Sequence, residues 1–230
     1  MIPIRDSTRS TTFPVVNIVI IVVNALVFFY ELSLGEALNR VINTFGLVPA
    51  YWIQLVQTNP FNIAGIVVPF FSSMFMHGGW MHFIGNMWFL WIFGDNVEDS
   101  MGHGRYIIFY LLCGVGAGVI HLIANIQSTV PTIGASGAIA GIMGAYMVLY
   151  PRGRVLTLIP IFIFFQFIEI PAVVFLLIWI LIQTFQGVMT LGMAAGGGVA
   201  WWAHIGGFAI GAIFIFLFRK RRPLPPMYFG

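Results

Sequence analysis

The sequence predicts an all-α membrane protein, a bundle of six transmembrane helices with its N- and C-termini cytoplasmic. Three observations carry this. Of its 230 residues 60% are hydrophobic and only 7% charged, whereas a soluble domain needs about a quarter charged to wet its surface. Six stretches reach, or nearly reach, the ~20 apolar residues that cross a bilayer at 1.5 Å per residue. Nine of the ten Lys and Arg fall on one side of such a bundle, the asymmetry that marks the cytoplasmic face.

A polar arm, residues 1–12, carries Arg5 and Arg9 and precedes the first apolar stretch, Phe13–Leu32. That stretch is long for a signal peptide and no clean small-x-small cleavage site follows, so it is expected to be retained. Ser33–Gly78 is broken by Gly46, Pro49, Pro60, Gly65 and Pro69 and rich in aromatic residues; it should lie in the interface or dip partly into it. The further spans are Gly79–Glu98, Arg105–Ile126, a short one at Ser136–Tyr150, Ile170–Val188 and Ala200–Phe218. Together residues 13–218 form the membrane domain, and 219–230 a basic cytoplasmic tail. Val155–Ile168 is apolar but short and interrupted by Pro160, which reads as interfacial or re-entrant.

Six spans put Arg5, Arg9, Arg105, Arg152, Arg154, Arg219, Lys220, Arg221 and Arg222 on the terminal side, with Arg40 opposite. A seventh span would carry the Arg219–Arg222 cluster outward, against this bias. The loops Ser33–Gly78, Gln127–Ala135 and Met189–Val199 then face outward. The single cysteine, Cys113, allows no disulfide within the chain. No CxxC, HExxH or phosphate-binding glycine loop occurs, so no metal, cofactor or nucleic-acid partner is expected.

Polar side chains at membrane depth are costly and point to function. Gly134-Ala135-Ser136-Gly137 opens the fourth span. A membrane serine often only bonds a carbonyl one turn back. Here flanking glycines admit a ligand, and the helix N-terminus favours a developing anion. His204 begins the sixth span among Trp201 and Trp202, where an interfacial histidine is the plainer reading. Gly207 and Gly211 follow it, and Gly137 and Gly141 follow Ser136. Packing of these two small-xxx-small faces would bring Ser136 and His204 to one end of one seam. His82 and Asn86, four apart, share a helix face and could donate jointly to an oxyanion, or simply bond a neighbouring helix. His77, five before His82, would be turned away from it.

Taken together these motifs resemble the rhomboid family of intramembrane serine proteases. Gly134-Ala135-Ser136-Gly137 looks like its GxSG, His204-Ile205-Gly206-Gly207 with Gly211 matches its HxxGxxxG, and His77 with His82-Phe83-Ile84-Gly85-Asn86 resembles its second-helix histidine and HxxxN. The resemblance covers about Phe13 to Phe218 and implies a rhomboid-like bundle in which Ser136 is nucleophile and His204 general base. It implies an oxyanion hole of His82, Asn86 and the Ser136 N–H, supported by Gly134, Gly137, His77, Gly207 and Gly211. The implied partners are single-span membrane protein substrates with small residues at the cut site, and the lipid bilayer. The compact form suggests a prokaryotic plasma membrane.

Of the seven carboxylates only Glu31 and Glu36 fall on the catalytic side, near the first span, which favours a dyad. Many family members carry an aromatic residue four after the serine; here it is Ala140, so something else must hold His204. The glycine-rich Met189–Gly198 is expected to act as a flexible lid. His121 has no partner by spacing and is expected to make a structural hydrogen bond, His103 should be solvated in its turn, and Glu98 and Arg105 flank that turn within reach of each other. Two other function classes are a small transporter and a rhomboid-like binder of membrane clients that does not cut. A transporter tends to show repeats or midplane charges, neither of which is present. Non-cutting relatives lack the serine or the histidine, and both are here.

Overall fold

The computed structural model describes residues 1–161, 164–190 and 199–220. Each of the six apolar stretches is helical. They become α1 (Val15–Ser33), α5 (Trp80–Met101), α6 (His103–Ala124), α7 (Ser136–Leu149), α8 (Ala172–Met189) and α9 (Trp201–Phe218). Between α1 and α5 the Pro- and Gly-broken segment folds into α2 (Leu38–Phe45), α3 (Pro49–Thr58) and α4 (Ile63–Ser72), with 3-10 turns at Gly35–Ala37 and Ser73–Phe75. Among the described residues four helices, α1, α6, α8 and α9, are each by themselves long and apolar enough to cross a membrane. Ile63–Phe75 with Trp80–Met101, bent by 83° at their break, would make a fifth.

The chain is mostly helical but not all-α. Ile2–Asp6 forms β1, Arg154–Ile161 β2 and Phe164–Pro171 β3, in one antiparallel sheet of order β1-β2-β3. Ile2 pairs with Leu158 and Asp6 with Val155. The described residues of the stretch expected to lie re-entrant or interfacial are thus antiparallel strands: their β-branched and aromatic side chains suit a pleated strand, and Pro160 disfavours a helix. The sheet lies along the flank of the bundle, where Trp88 Nε1 donates to the Pro3 carbonyl at 2.6 Å and Val155 is fully buried in the core. Asp6 accepts from Tyr146 Oη at 2.6 Å and Asn96 Nδ2 at 3.0 Å. Burial pushes its carboxyl above the ordinary carboxylate range, and the Tyr146 hydrogen bond opposes that.

α7 is the axis. Every residue from Gly137 to Tyr146 is buried, as expected of a helix apolar on all sides. Its seam with α9 is made by glycines: a Cβ on Gly207 would fall on the Gly137 carbonyl, and one on Gly211 on the Gly141 carbonyl. Where lipid is as apolar as the helix surface, such close backbone contact is what holds helices together. α1 meets the bundle through a polar stripe at intervals of seven, Asn17, Asn24 and Glu31, all buried.

Glu98 does not pair with Arg105. Its carboxylate accepts from the Val16 and Asn17 amides at 3.0 and 2.7 Å, capping the positive end of α1, and it meets His103 Nδ1. His103 is therefore partnered rather than simply solvated. Arg105 instead reaches the Phe218 carbonyl at 3.3 Å.

Candidate active site

α7 starts with Ser136, whose preceding loop is held from two sides. Leu47 and Thr132 exchange backbone hydrogen bonds of 3.1 and 2.8 Å, and the Gly134 N–H donates to the Ser73 carbonyl at 2.8 Å. Gly134 has φ +125°, and a Cβ there would lie 2.6 Å from His82 Nε2. Only glycine fits both demands. The segment between α1 and α5 thus buttresses the serine loop, a role its broken sequence did not announce.

Ser136 is half-buried, and its Oγ lies 2.8 Å from His204 Nε2. His204 opens α9 and is 8% exposed. The glycine seam accounts for the meeting: two helices whose backbones touch at Gly137 and Gly207 bring the residues one turn or less away into hydrogen-bond range.

The other ring nitrogen, Nδ1, is 2.7 Å from Gln183 Oε1. Gln183 was missed in the sequence because a glutamine near the end of an apolar helix resembles an interfacial residue. Trp179, one turn before it on α8, lies against His204 with centroids 5.7 Å apart and rings inclined at 34°, and Trp201 meets it edge-on at 6.1 Å. These tryptophans supply the aromatic support that Ala140 cannot.

His82 and Asn86 flank Gly134. The Gly78 amide donates to His82 Nδ1 at 3.3 Å, which leaves the ring proton on Nε2, the nitrogen facing Gly134 and the serine loop. Asn86 Nδ2 is buried with no hydrogen-bond partner among the described residues. Buried donors are ordinarily paired, so an idle amide beside a serine marks a place for an acceptor. His77 is not turned away: α5 begins only at Trp80, so helical phase does not apply, and its ring packs 5.1 Å from that of His82. Its backbone N–H donates to Glu31 Oε2 at 3.0 Å. His121 makes the structural hydrogen bond expected of it, with Asn125 one turn on, at 3.5 Å.

Ser136, His204, His82, Asn86 and Trp179 line one open cleft of about 1490 Å³. Phe93 and Phe175 meet at 6.3 Å and close α5 against α8 below it. A second, small cavity of about 30 Å³ lies beside Ser136, walled by Gly114, Ala117, Gly137, Ala200 and Ala203. It has room for a water or two or for a methyl-sized group. Among the described residues no group of three His, Cys, Asp or Glu side chains is placed to hold a metal. The expected lid, Met189–Gly198, lies outside the described residues beyond Thr190.

Bundle and site together define a polytopic helical membrane protein that encloses a serine–histidine contact at the start of a buried helix. The chain belongs to the rhomboid family: residues 64–221 match the Rhomboid domain. It is 27% identical over 133 residues to the mouse "Presenilin-associated rhomboid-like protein, mitochondrial", covering 56% of this chain and 35% of that protein. It is 37% identical over 73 residues to "Rhomboid-like protein 11, chloroplastic" of Arabidopsis thaliana, covering 32% and 26%. With "RHOMBOID-like protein 5" of the same plant it shares 32% over 76 residues, 33% and 25% of the two chains. The matched part thus spans about a quarter to a third of these relatives' length.

Proposed function

We propose that the chain is an intramembrane serine endopeptidase that cleaves single-span membrane proteins within or beside the bilayer. The observation that carries this reading is the 2.8 Å contact between Ser136 Oγ and His204 Nε2. It lies within the hydrogen-bond reach that a nucleophile and its base require. In this reading α1, α5, α6, α7, α8 and α9 are the six spans, both termini are cytoplasmic, and the membrane is a prokaryotic plasma membrane.

His204 Nε2 takes the Ser136 proton as Oγ attacks the scissile carbonyl, and returns it to the leaving amine. Negative charge then gathers on the carbonyl oxygen. His82 Nε2–H, Asn86 Nδ2 and the Ser136 N–H are the donors for it, helped by the positive end of the α7 dipole. A second cycle, with water as the nucleophile, releases the acyl group. The open cleft between α5 and α8 supports entry of an extended stretch of polypeptide. The small cavity beside Ser136 supports a small side chain at the cut site.

The test is cleavage of a single-span reporter in liposomes by wild type, Ser136→Ala and His204→Ala. Both variants are expected to lose cleavage while keeping the wild-type unfolding midpoint. Cleavage by Ser136→Ala would refute the mechanism. A wild type that neither cleaves any reporter nor takes a fluorophosphonate at Ser136 would move the reading to a non-cutting binder of membrane clients.

A further inference from the structure

Nothing in the dyad itself decides which nitrogen of His204 carries the proton, yet the chemistry depends on it. For Nε2 to accept from Ser136, the ring proton must sit on Nδ1. In a triad a carboxylate accepts that proton and holds the ring. Here none of the carboxylates bonds His204; Glu31, on the same side, is engaged with the His77 amide. The position opposite Nδ1 is filled by the side-chain amide of Gln183, 2.7 Å away and 7% exposed.

We propose that Gln183 is the positioning residue of this site: its Oε1 accepts from His204 Nδ1–H and thereby fixes the tautomer in which Nε2 faces Ser136 as a base. This rests on the protease reading and adds a third member to its dyad. An amide suits the place physically. A carboxylate there would be a buried charge unpaired in the resting state, which is expensive in a low-dielectric setting. A carbonyl oxygen gives the same direction without that charge. When the serine proton moves to Nε2, the Nδ1–H···O=C bond becomes charge-assisted and shortens, so Gln183 stabilises the transition state more than the ground state. The opposite amide orientation would donate to Nδ1, place the ring proton on Nε2 and leave the histidine unable to act as base.

The surroundings limit the ring to this arrangement. Trp179 and Gln183 lie one turn apart on one face of α8. Trp179 packs on His204 and, at 6.1 Å, on Phe208, one turn below His204 on α9. The indole thus blocks rotation of the imidazole while the amide sets its proton.

The experiment uses the full chain in proteoliposomes with Gln183→Met, of similar length but without the acceptor, and Gln183→Glu, which retains one. Gln183→Met is expected to lower kcat between about 10- and 10³-fold with KM unchanged, less than the roughly 10⁴-fold loss when a triad histidine is held in the wrong tautomer. Gln183→Glu is expected to recover most of that loss. In parallel, ¹⁵N-histidine spectra, with the His204 signals assigned by difference against His204→Ala, report the protonated nitrogen. Nδ1–H is expected in the wild type and a mixture of tautomers in Gln183→Met. A wild-type spectrum with the proton on Nε2, or an unchanged kcat in Gln183→Met, overturns the proposal. The spectra do not depend on turnover: in an inactive wild type they still decide the Gln183 bond, while the protease reading alone fails. If Gln183→Met does not fold, the wild-type spectrum decides by itself.

Discussion

At the scale of single residues the site is distinguished by donors without acceptors. Asn86 Nδ2 is buried and idle among the described residues, and His82 presents its Nε2 proton toward Gly134. A helix interior rarely tolerates an idle amide, and the cost is understandable if an oxyanion is its occasional partner. His82→Ala and Asn86→Ala are each expected to lower kcat by about 10²- to 10³-fold, the usual loss for one such donor. KM should hardly move, because the charge appears only in the transition state. Steady-state cleavage of a reporter in liposomes checks this. A rise in KM with kcat preserved would assign both residues to substrate binding.

At the scale of elements, the α7–α9 seam sets the distance between Ser136 and His204. Gly207 and Gly211 touch carbonyls of Gly137 and Gly141, so any side chain there drives the helices apart. Gly211→Val is expected to lower the unfolding free energy by at least about 1–3 kcal/mol, the range for overpacking. It should also slow fluorophosphonate labelling of Ser136, although it lies about two turns from His204. Gly104→Ala, where an added Cβ meets nothing within 4 Å, is the control and should leave both unchanged. Unfolding midpoints in mild detergent and labelling rates measure the pair; equal behaviour of the two variants would remove the seam from the account. Glu98 works at this scale too, as a cap lent by α5 to α1, which explains a fully buried acid without invoking chemistry.

For the whole molecule the prediction concerns orientation. Cys113 is buried, so the chain is nearly silent to thiol reagents. Phe61→Cys, at a position 91% exposed on the segment between α1 and α5, is expected to react with an impermeant maleimide in intact cells. Arg152→Cys, exposed in the turn after α7, should react only once the membrane is opened. The reverse pattern would put the termini outside and undo the positive-inside assignment. The molecule also carries a sheet on its flank, where the first strand ties the N-terminal residues to β2, some 150 positions away. That arm is part of the bundle's wall and not a free extension.

Much of this is legible in the sequence. Composition alone determined a membrane protein, because so few charges cannot wet a globule of this size. The helices declared themselves by apolar length, and Ser136, His204, His82 and Asn86 by being polar where lipid penalises polarity. The two glycine pairs even announced the seam, since small residues at that spacing have little other use in a membrane. Tertiary structure alone decided the rest. Gln183 acquires meaning only when α8 lies against α9, Glu98 only when α1 begins beside it, and β1 only when β2 arrives to pair with it. Periodicity and burial cost are properties of a local stretch, whereas the partner of a hydrogen bond is chosen by packing between elements far apart in the chain.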